Sequence, residues 1–152
     1  MDVETIRNYI REHTIHAEII EHAASGLKSS DASKALGIDT AHIIKTLLFI
    51  GKNTRAVVVC LGSSMVNIKK LEQLGVKKPR LATAEELKEI LGTAPGGTPP
   101  IALPADIPKF IDKKVMEQQF VVGSAGSEFA GLKIDPKDIL KVSDYKIVDI
   151  AA

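Results

Sequence analysis

The sequence predicts an α/β fold of the α+β type, in which one mixed, mostly antiparallel sheet is covered by flanking helices. The chain has 152 residues, a length that suits one compact domain. Hydrophobic residues make up 45% of it, which is enough for a core. Helix and strand patterns alternate irregularly and include a tight hairpin, which argues against a doubly wound parallel sheet. No repeat or linker divides the sequence, so we expect residues 1–152 to form a single domain.

Periodicity and capping residues give the order of elements in the N-terminal half. Apolar residues at helical spacing indicate helices, and apolar runs bounded by turn residues indicate strands. These signals predict a helix over the first dozen residues, a strand over 16–21, a helix from Ser29 or Ser30 through Leu36 with Gly37 at its C′ position, and a central hairpin of strands 43–50 and 55–61 around the turn 51–53.

Helix caps are the clearest signals in the C-terminal half. Thr83 and Glu86 form a capping box, and Pro136 directly after Asp135 is a favoured helix start. The predicted elements are a helix after Asn67 that ends at Gly75, a helix after Thr83 that ends at Gly92, strands over 109–112, 119–122 and 131–134, a helix after Asp135, and a last strand over 146–150.

Composition excludes several functional classes. Lys and Arg number 20 against 19 for Asp and Glu, so the chain lacks a general nucleic-acid footprint and any RNA contact must be local. No apolar run approaches the length of a membrane span, and the first residues do not resemble a signal peptide. We therefore expect a cytoplasmic protein with no membrane partner.

Neither the histidines nor the cysteine predicts a metal or thiol site. The four histidines lack a convincing metal-ligand spacing. Cys60 lies in the apolar run AVVVCL, where a thiol usually behaves as a small hydrophobe. We expect no metal and no cofactor.

Residues 92–104, GTAPGGTPPIALP, form the most informative segment. They hold three glycines and four of the seven prolines and carry no charge. Prolines lack an N–H, whereas Gly96, Gly97 and Thr98 keep theirs. Backbone donors in a rigid loop can stabilise a developing oxyanion. A purely structural turn would have the same composition.

Lys45 is the most informative single residue, because it lies within a predicted strand whose two faces both look buried. Strand alternation places it on one face with Leu47 and Phe49. A buried ammonium is costly unless it is paired or near water. Lys45 either extends past the strand end to solvent or forms a cation at the rim of a pocket, directed at a phosphate or a carboxylate.

Each of three further features has two alternative interpretations, one structural and one functional. The segment GSAGS at 123–127 is either a pocket wall or a plain turn, and it lacks the context of a nucleotide-binding loop. His22 ends a predicted strand and either borders a pocket or lies exposed in a loop. The remaining feature is a basic cluster, either a solvated helix face or a local phosphate contact, formed by Lys69, Lys70, Lys77, Lys78 and Arg80.

Taken together, these segments resemble the YbaK/prolyl-tRNA synthetase-associated editing domain family. The resemblance runs in family order from about residue 18 to residue 142 and rests on the strand lysine in IIKTLLF, the Gly-Gly-x-Pro-Pro loop, and the late VVGSAGSEFAGLKIDPKDILKV. It implies a mixed, barrel-like sheet with flanking helices. It also implies a trans-editing deacylase, which hydrolyses the ester of a mischarged tRNA of the tRNA-Pro type that carries a small wrong amino acid.

The resemblance also implies roles for individual residues. Lys45 would hold the terminal nucleotide. The loop residues Gly97, Thr98 and Pro99 would present backbone donors to the scissile carbonyl. Gly123, Ser124 and Gly126 would close the amino-acid pocket. Apart from the resemblance, we also expect His22, Gly96, Pro100 and Ala125 to bind substrate.

Two departures from the family leave the amino acid open. Synthetase-inserted relatives have a histidine near the late glycine loop, where this chain has SAGSEFAG, and many relatives have a tyrosine near the position of Ile20. A non-catalytic module that binds a tRNA end or an aminoacyl-adenylate, as an accessory to an aminoacyl-tRNA synthetase, is the alternative function. A hydrolase of another small ester or amide is a third.

Overall fold

The computed structural model describes residues 1–22, 33–34 and 36–152 and has an α/β architecture with two sheets. Its helices are α1 (Val3–Glu12), α2 (Ile68–Gln73), α3 (Ala84–Leu91), α4 (Lys113–Met116) and α5 (Pro136–Val142). Its strands are β1 (Ala17–Glu21), β2 (Ile44–Ile50), β3 (Arg55–Leu61), β4 (Arg80–Leu81), β5 (Lys109–Asp112), β6 (Val121–Ser127), β7 (Ala130–Ile134) and β8 (Tyr145–Val148). Within the described ranges, no helix is long and apolar enough to cross a membrane.

The larger sheet has five strands in the order β4-β2-β3-β5-β8. Strand β2 pairs antiparallel with β3 and β4, whereas β5 pairs parallel with β3 and β8. The smaller sheet, β1-β7-β6, is antiparallel throughout. A bridge between Ile43 and Val122 links the two sheets. The mixed, mostly antiparallel pairing is confirmed. The strands of the described residues divide into two sheets instead of the single sheet expected, and they form no closed barrel, so the barrel-like shape is not confirmed.

Local capping signals correctly predict where α3 and α5 begin, whereas the short helix α4, which has no side-chain cap, was not predicted. The side chain of Thr83 accepts a hydrogen bond from the N–H of Glu86 at the start of α3, and Gly92 ends that helix with φ +72°. Asp135 caps α5 in the same way, with Pro136 in its first turn. The predicted cap at Ser29 or Ser30 lies outside the described residues. Gly37, expected just past the end of that helix, has φ +66°, a backbone conformation that favours glycine.

Two hydrophobic clusters cover the opposite faces of the five-stranded sheet. Ile44 and Leu48 of β2 belong to the larger cluster, which also receives Ile101 from the glycine-proline segment. Phe49 of β2 belongs to the smaller cluster, together with Phe110. Because side chains alternate along a strand, both faces of β2 are covered, as expected from its sequence.

The segment GSAGS differs from its prediction as a loop that follows a strand. Strand β6 runs through to Ser127, and Gly123 and Ser124 pair with Leu132 and Gly131 of β7. The register is irregular between Ser124 and Ser127, where Gly126 has φ +92°. The small residues therefore form a distorted strand, because pairing with β7 satisfies their backbone groups.

Candidate functional site

The glycine-proline segment begins with a tight turn at residues 94–97. The N–H of Gly97 donates to the carbonyl of Ala94 at 2.9 Å. Pro95 precedes Gly96, which has φ +80°. Proline at the second position and a glycine with positive φ at the third are the signature of a type II turn. This turn gives the loop a defined backbone.

The same turn changes which N–H groups remain available. The N–H of Gly97 is already bonded within the loop and is not free to act as the expected donor. In the described part of the chain, the N–H groups of Gly96 and Thr98 have no hydrogen-bond partner. Pro99 and Pro100 lack an N–H. Gly96 and Thr98 therefore keep backbone N–H groups that are available as donors, whereas the N–H of Gly97 is already used.

Buried hydrogen bonds fix the rest of the loop. The hydroxyls of Thr93 and Thr98 are 2.8 Å apart, and both residues are buried. The Tyr145 hydroxyl donates to the carbonyl of Pro100 at 2.7 Å. Burial raises the pKa of Tyr145, so its hydroxyl keeps its proton as a donor. Ser124 Oγ donates to the carbonyl of Gly96 and ties the loop to β6.

Close backbone packing also joins the loop to β6. A Cβ on Gly97 would lie 3.3 Å from the Cα of Ser127, and a Cβ on Gly123 would lie 3.5 Å from Cδ of Pro100. The Ser127 neighbour is a backbone atom, which cannot move aside as a flexible side chain would, whereas the Pro100 atom is in ordinary van der Waals contact. The structure thus brings the loop and β6 together.

Two residues of the expected pocket wall have internal contacts instead. A Cβ on Gly126 would lie 2.8 Å from the carbonyl oxygen of Asp2, so this glycine allows the start of α1 to approach β6. Ala125 is fully buried in the larger hydrophobic cluster. Both positions support the fold beneath the loop.

His22 lies beside the turn that follows β6. It is half buried, and its N–H donates to the carbonyl of Phe129 at 2.9 Å. The N–H of Phe129 in turn donates to Ser127 Oγ at 3.0 Å. The structure therefore places His22 next to the end of β6 that contacts Gly97.

Lys45 lies on the opposite face of β2 from the loop. Its neighbour Ile44 points to the loop side, where it lies 3.2 Å from a Cβ placed on Gly123. Lys45 shares the other face with Phe49 and is paired with Cys60 of β3. Among the described residues, no hydrogen bond or ion pair joins Lys45 to residues 92–104. The loop and Lys45 thus lie near the same end of β2, on opposite faces of the sheet, without contacting each other through a hydrogen bond or ion pair in the described structure.

The thiol of Cys60 is shielded from solvent. Cys60 is fully buried, and this burial raises the pKa of its thiol to about 11. The positive charge of Lys45 opposes this shift, whereas the negative charge of Asp112 adds to it. The thiol is therefore protonated at neutral pH, which agrees with its expected role as a small hydrophobe.

Sequence reasoning did not single out Asp112. Its side chain is fully buried, Oδ1 accepts from the N–H of Ile150 at 3.0 Å, and Oδ2 has no hydrogen-bond partner among the residues that the structure describes. The signal available in the sequence was an acid that ends the apolar strand KFID.

The basic cluster is only partly free. Lys70 contacts Asp149 at 3.1 Å, and Arg80 makes two hydrogen bonds to Glu86. Lys69, Lys77 and Lys78 are exposed.

A small cleft lies at the turn of the hairpin, about 17 Å along β2 from Lys45. It is lined by Asn53, Thr54, Arg55, Asp106, Ile107 and Pro108. This cleft lies apart from the loop and Lys45.

Comparison with known proteins shows the family. The family model described as an aminoacyl-tRNA editing domain matches residues 24–142. A candidate Cys-tRNA(Pro)/Cys-tRNA(Cys) deacylase of Enterococcus faecalis, EbsC, is 26% identical over 93% of this chain and 88% of its own length. A proline–tRNA ligase of Shouchella clausii is also 26% identical, over 86% of this chain but only 24% of the ligase.

A solved structure agrees with the fold. The crystal structure of a candidate trans-editing enzyme for prolyl-tRNA synthetase superimposes with a TM-score of 0.89. The match covers 99% of this chain and 96% of that one at 24% identity. This likeness establishes the shared fold.

Proposed function

The chain belongs to the aminoacyl-tRNA editing domain family, and from this membership we propose that it is an aminoacyl-tRNA deacylase that acts in trans. It hydrolyses the ester that joins a wrong amino acid to the terminal ribose of a tRNA. The observation that carries the proposal is the rigid loop at 94–98, which leaves the N–H of Thr98 without a partner in the described structure. A similarly sized relative named as a deacylase supports action without a fused synthetase.

The proposed chemistry needs only modest help from the protein, because an aminoacyl ester is already activated. Water attacks the ester carbon, a hydroxyl of the terminal ribose assists it, and negative charge develops on the carbonyl oxygen. The N–H of Thr98 donates to that oxygen from a position that the loop has already fixed. The carbon–oxygen bond to the ribose then breaks, the ribose oxygen takes up a proton, and the free amino acid leaves.

The proposed roles of the neighbouring residues follow from their contacts. Gly97 lets the loop backbone approach β6 closely, and Pro99 stiffens the backbone after Thr98 through its fixed φ. The N–H of Gly96 is a second donor on the same turn. Ser124, through the carbonyl of Gly96, keeps that turn in place. His22, which follows β1 and lies next to the end of β6, borders the substrate.

Lys45 is proposed to hold a phosphate of the terminal adenosine. The phosphate and the scissile ester are different parts of the substrate, so a cation and a donor loop on different faces of one strand end suit a substrate that wraps around it. The cation orients the terminal nucleotide, and such positioning supplies part of the rate.

We propose that the substrate is a tRNA of the tRNA-Pro type charged with a small wrong amino acid. Support comes from the named relatives, which include a candidate Cys-tRNA(Pro) deacylase and a proline–tRNA ligase. Residues 1–152 would act as one editing domain with a barrel-like frame, in the cytoplasm, where charged tRNA is used.

A panel of mischarged tRNAs tests the proposal. The protein is incubated with tRNA(Pro) and other tRNAs that carry alanine, cysteine, serine or proline, and loss of the ester is followed. Turnover of one or more wrong pairs, with correctly charged prolyl-tRNA spared, is the expected result. Measurable tRNA binding without turnover on any pair would instead support an accessory binding module. Hydrolysis of small esters without tRNA would indicate a different hydrolase.

A further inference from the structure

Three ionisable side chains form a row across the five-stranded sheet, on the face opposite the loop. Lys45 of β2 is the register partner of Cys60 of β3. The pair Val59–Ile111 sets the register between β3 and β5, so Asp112 lies at the level of Cys60, one residue further along. Parallel and antiparallel partners share a face, and the row therefore runs Lys45, Cys60, Asp112.

Asp112 is the least satisfied member of this row. Its side chain is fully buried, and only Oδ1 has a hydrogen bond, from the N–H of Ile150. Oδ2 is buried without a hydrogen-bond partner in the described structure. A buried carboxylate costs several kcal/mol unless a charge or hydrogen bonds compensate it, so a compensating cation is expected nearby.

Lys45 is the cation in the same row. The charges of Lys45 and Asp112 both act on the thiol that lies between them, in opposite directions. Asp149, another acid near this end of the sheet, is already engaged with Lys70 and Lys113. Neighbouring strands lie about 5 Å apart, so the backbones of β2 and β5 are about 10 Å apart at this level. The two charges therefore act on each other across the thiol, without a direct ion pair among the described residues.

We infer that Asp112 is a positioning residue for Lys45: its buried carboxylate is the counter-charge that holds the lysine side chain at this level of β2. The inference rests on the proposed role of Lys45 at the terminal phosphate. It assigns Asp112 no contact with substrate. It also explains why an unpaired carboxylate oxygen is retained beside a hydrophobic cluster.

A stability cycle tests the inference without any measurement of deacylation. Lys45→Met, Asp112→Asn and the double variant are unfolded in urea. Asparagine keeps an oxygen for the Ile150 N–H and removes the charge. Lys45→Met alone should lower the midpoint by about 0.5–1 M, because it leaves a buried charge unpaired. Adding Asp112→Asn should restore most of that loss. Additive losses in the double variant would overturn the inference.

A second pair of variants keeps the test decisive if Asp112→Asn does not fold. Lys45→Arg conserves the charge that Lys45→Met removes. The inference predicts that Lys45→Arg retains the wild-type midpoint, and equal destabilisation by both substitutions would contradict it.

Activity then separates this inference from the proposed function. With an active wild type, Asp112→Asn should lower kcat/KM about tenfold and have no further effect in a Lys45→Ala background. Asp149→Asn, the matched control, should leave kcat/KM unchanged. A wild type without turnover would contradict the proposed function, while the stability cycle would still decide the inference about Asp112.

Discussion

The two faces of the sheet at the start of β2 are built in different ways. On one face, the loop at 94–100 is uncharged and is held by a type II turn, buried hydroxyl bonds and glycine packing against β6. On the other face, the charged Lys45 and Asp112 lie in a row with Cys60, beside the smaller hydrophobic cluster. The loop is shaped by steric fit, and we infer that electrostatic attraction positions the lysine.

This difference suggests a division of labour within one site. Backbone donors in a packed loop need no reorganisation when charge develops on the substrate. A lysine at a strand end suits the recognition of a phosphate that is already charged. Substitutions on the loop face should therefore reduce the rate of the chemical step, and substitutions of Lys45 should mainly reduce binding.

The largest effect on the loop face is expected from Gly97→Val. A side chain here would meet the backbone of Ser127 and the carbonyl of Ala94, each 3.3 Å from its Cβ, and would push the loop away from β6. We predict a loss of at least about 100-fold in the single-turnover deacylation rate at saturating protein, the size seen when one oxyanion donor is lost. Ala94→Val, at an exposed position of the same loop, is the control. Equal rates in wild type and Gly97→Val would contradict the role of the loop.

A smaller effect is expected from Ser124→Ala. This change removes the hydroxyl that donates to the carbonyl of Gly96 but leaves the turn itself intact. We predict a fall of about 3- to 10-fold in the same rate and a stability loss of about 1 kcal/mol, measured by urea unfolding. Ser63→Ala, at an exposed serine, should change neither quantity. A rate as low as that of Gly97→Val would mean that Ser124 does more than hold the loop.

The smallest effect is expected far from both faces, at Arg80 and Glu86. The hydrogen bonds from Arg80 lower the pKa of Glu86 from 4.5 to about 2. A carboxyl with a lowered pKa stabilises the folded state above the unfolded value, and this contribution is lost as the pH falls from 4.5 towards 2. Glu86→Gln should therefore flatten the dependence of the urea midpoint on pH in that window. Glu85→Gln should not, and neither variant should change deacylation at pH 7 more than about twofold.

The sequence predicts well what is decided locally. The capping box at Thr83 and the start of α5 at Asp135 depend on residues within one helical turn. Pro95 and Gly96 also indicate a turn at 94–97. They do not reveal that the N–H of Gly97 closes this turn by donating to Ala94.

Features that depend on distant partners were missed or only outlined. GSAGS pairs with β7 and supports the loop and α1, contacts that composition does not reveal. The separation into two sheets depends on which strands meet, and the parallel pairs of β5 join segments far apart in sequence. Asp112 gained meaning only when the register placed it beside Cys60 and Lys45.

The most direct test of the account is the deacylation of a mischarged tRNA by Lys45→Ala, compared with wild type over a range of protein concentrations under single-turnover conditions. Circular dichroism first confirms that the variant is folded. The account predicts that the deacylation rate below saturation falls at least about 100-fold. Most of this fall should come from a higher protein concentration being needed for the half-maximal rate, and less of it from a lower maximal rate. Full activity in a folded Lys45→Ala variant would contradict it.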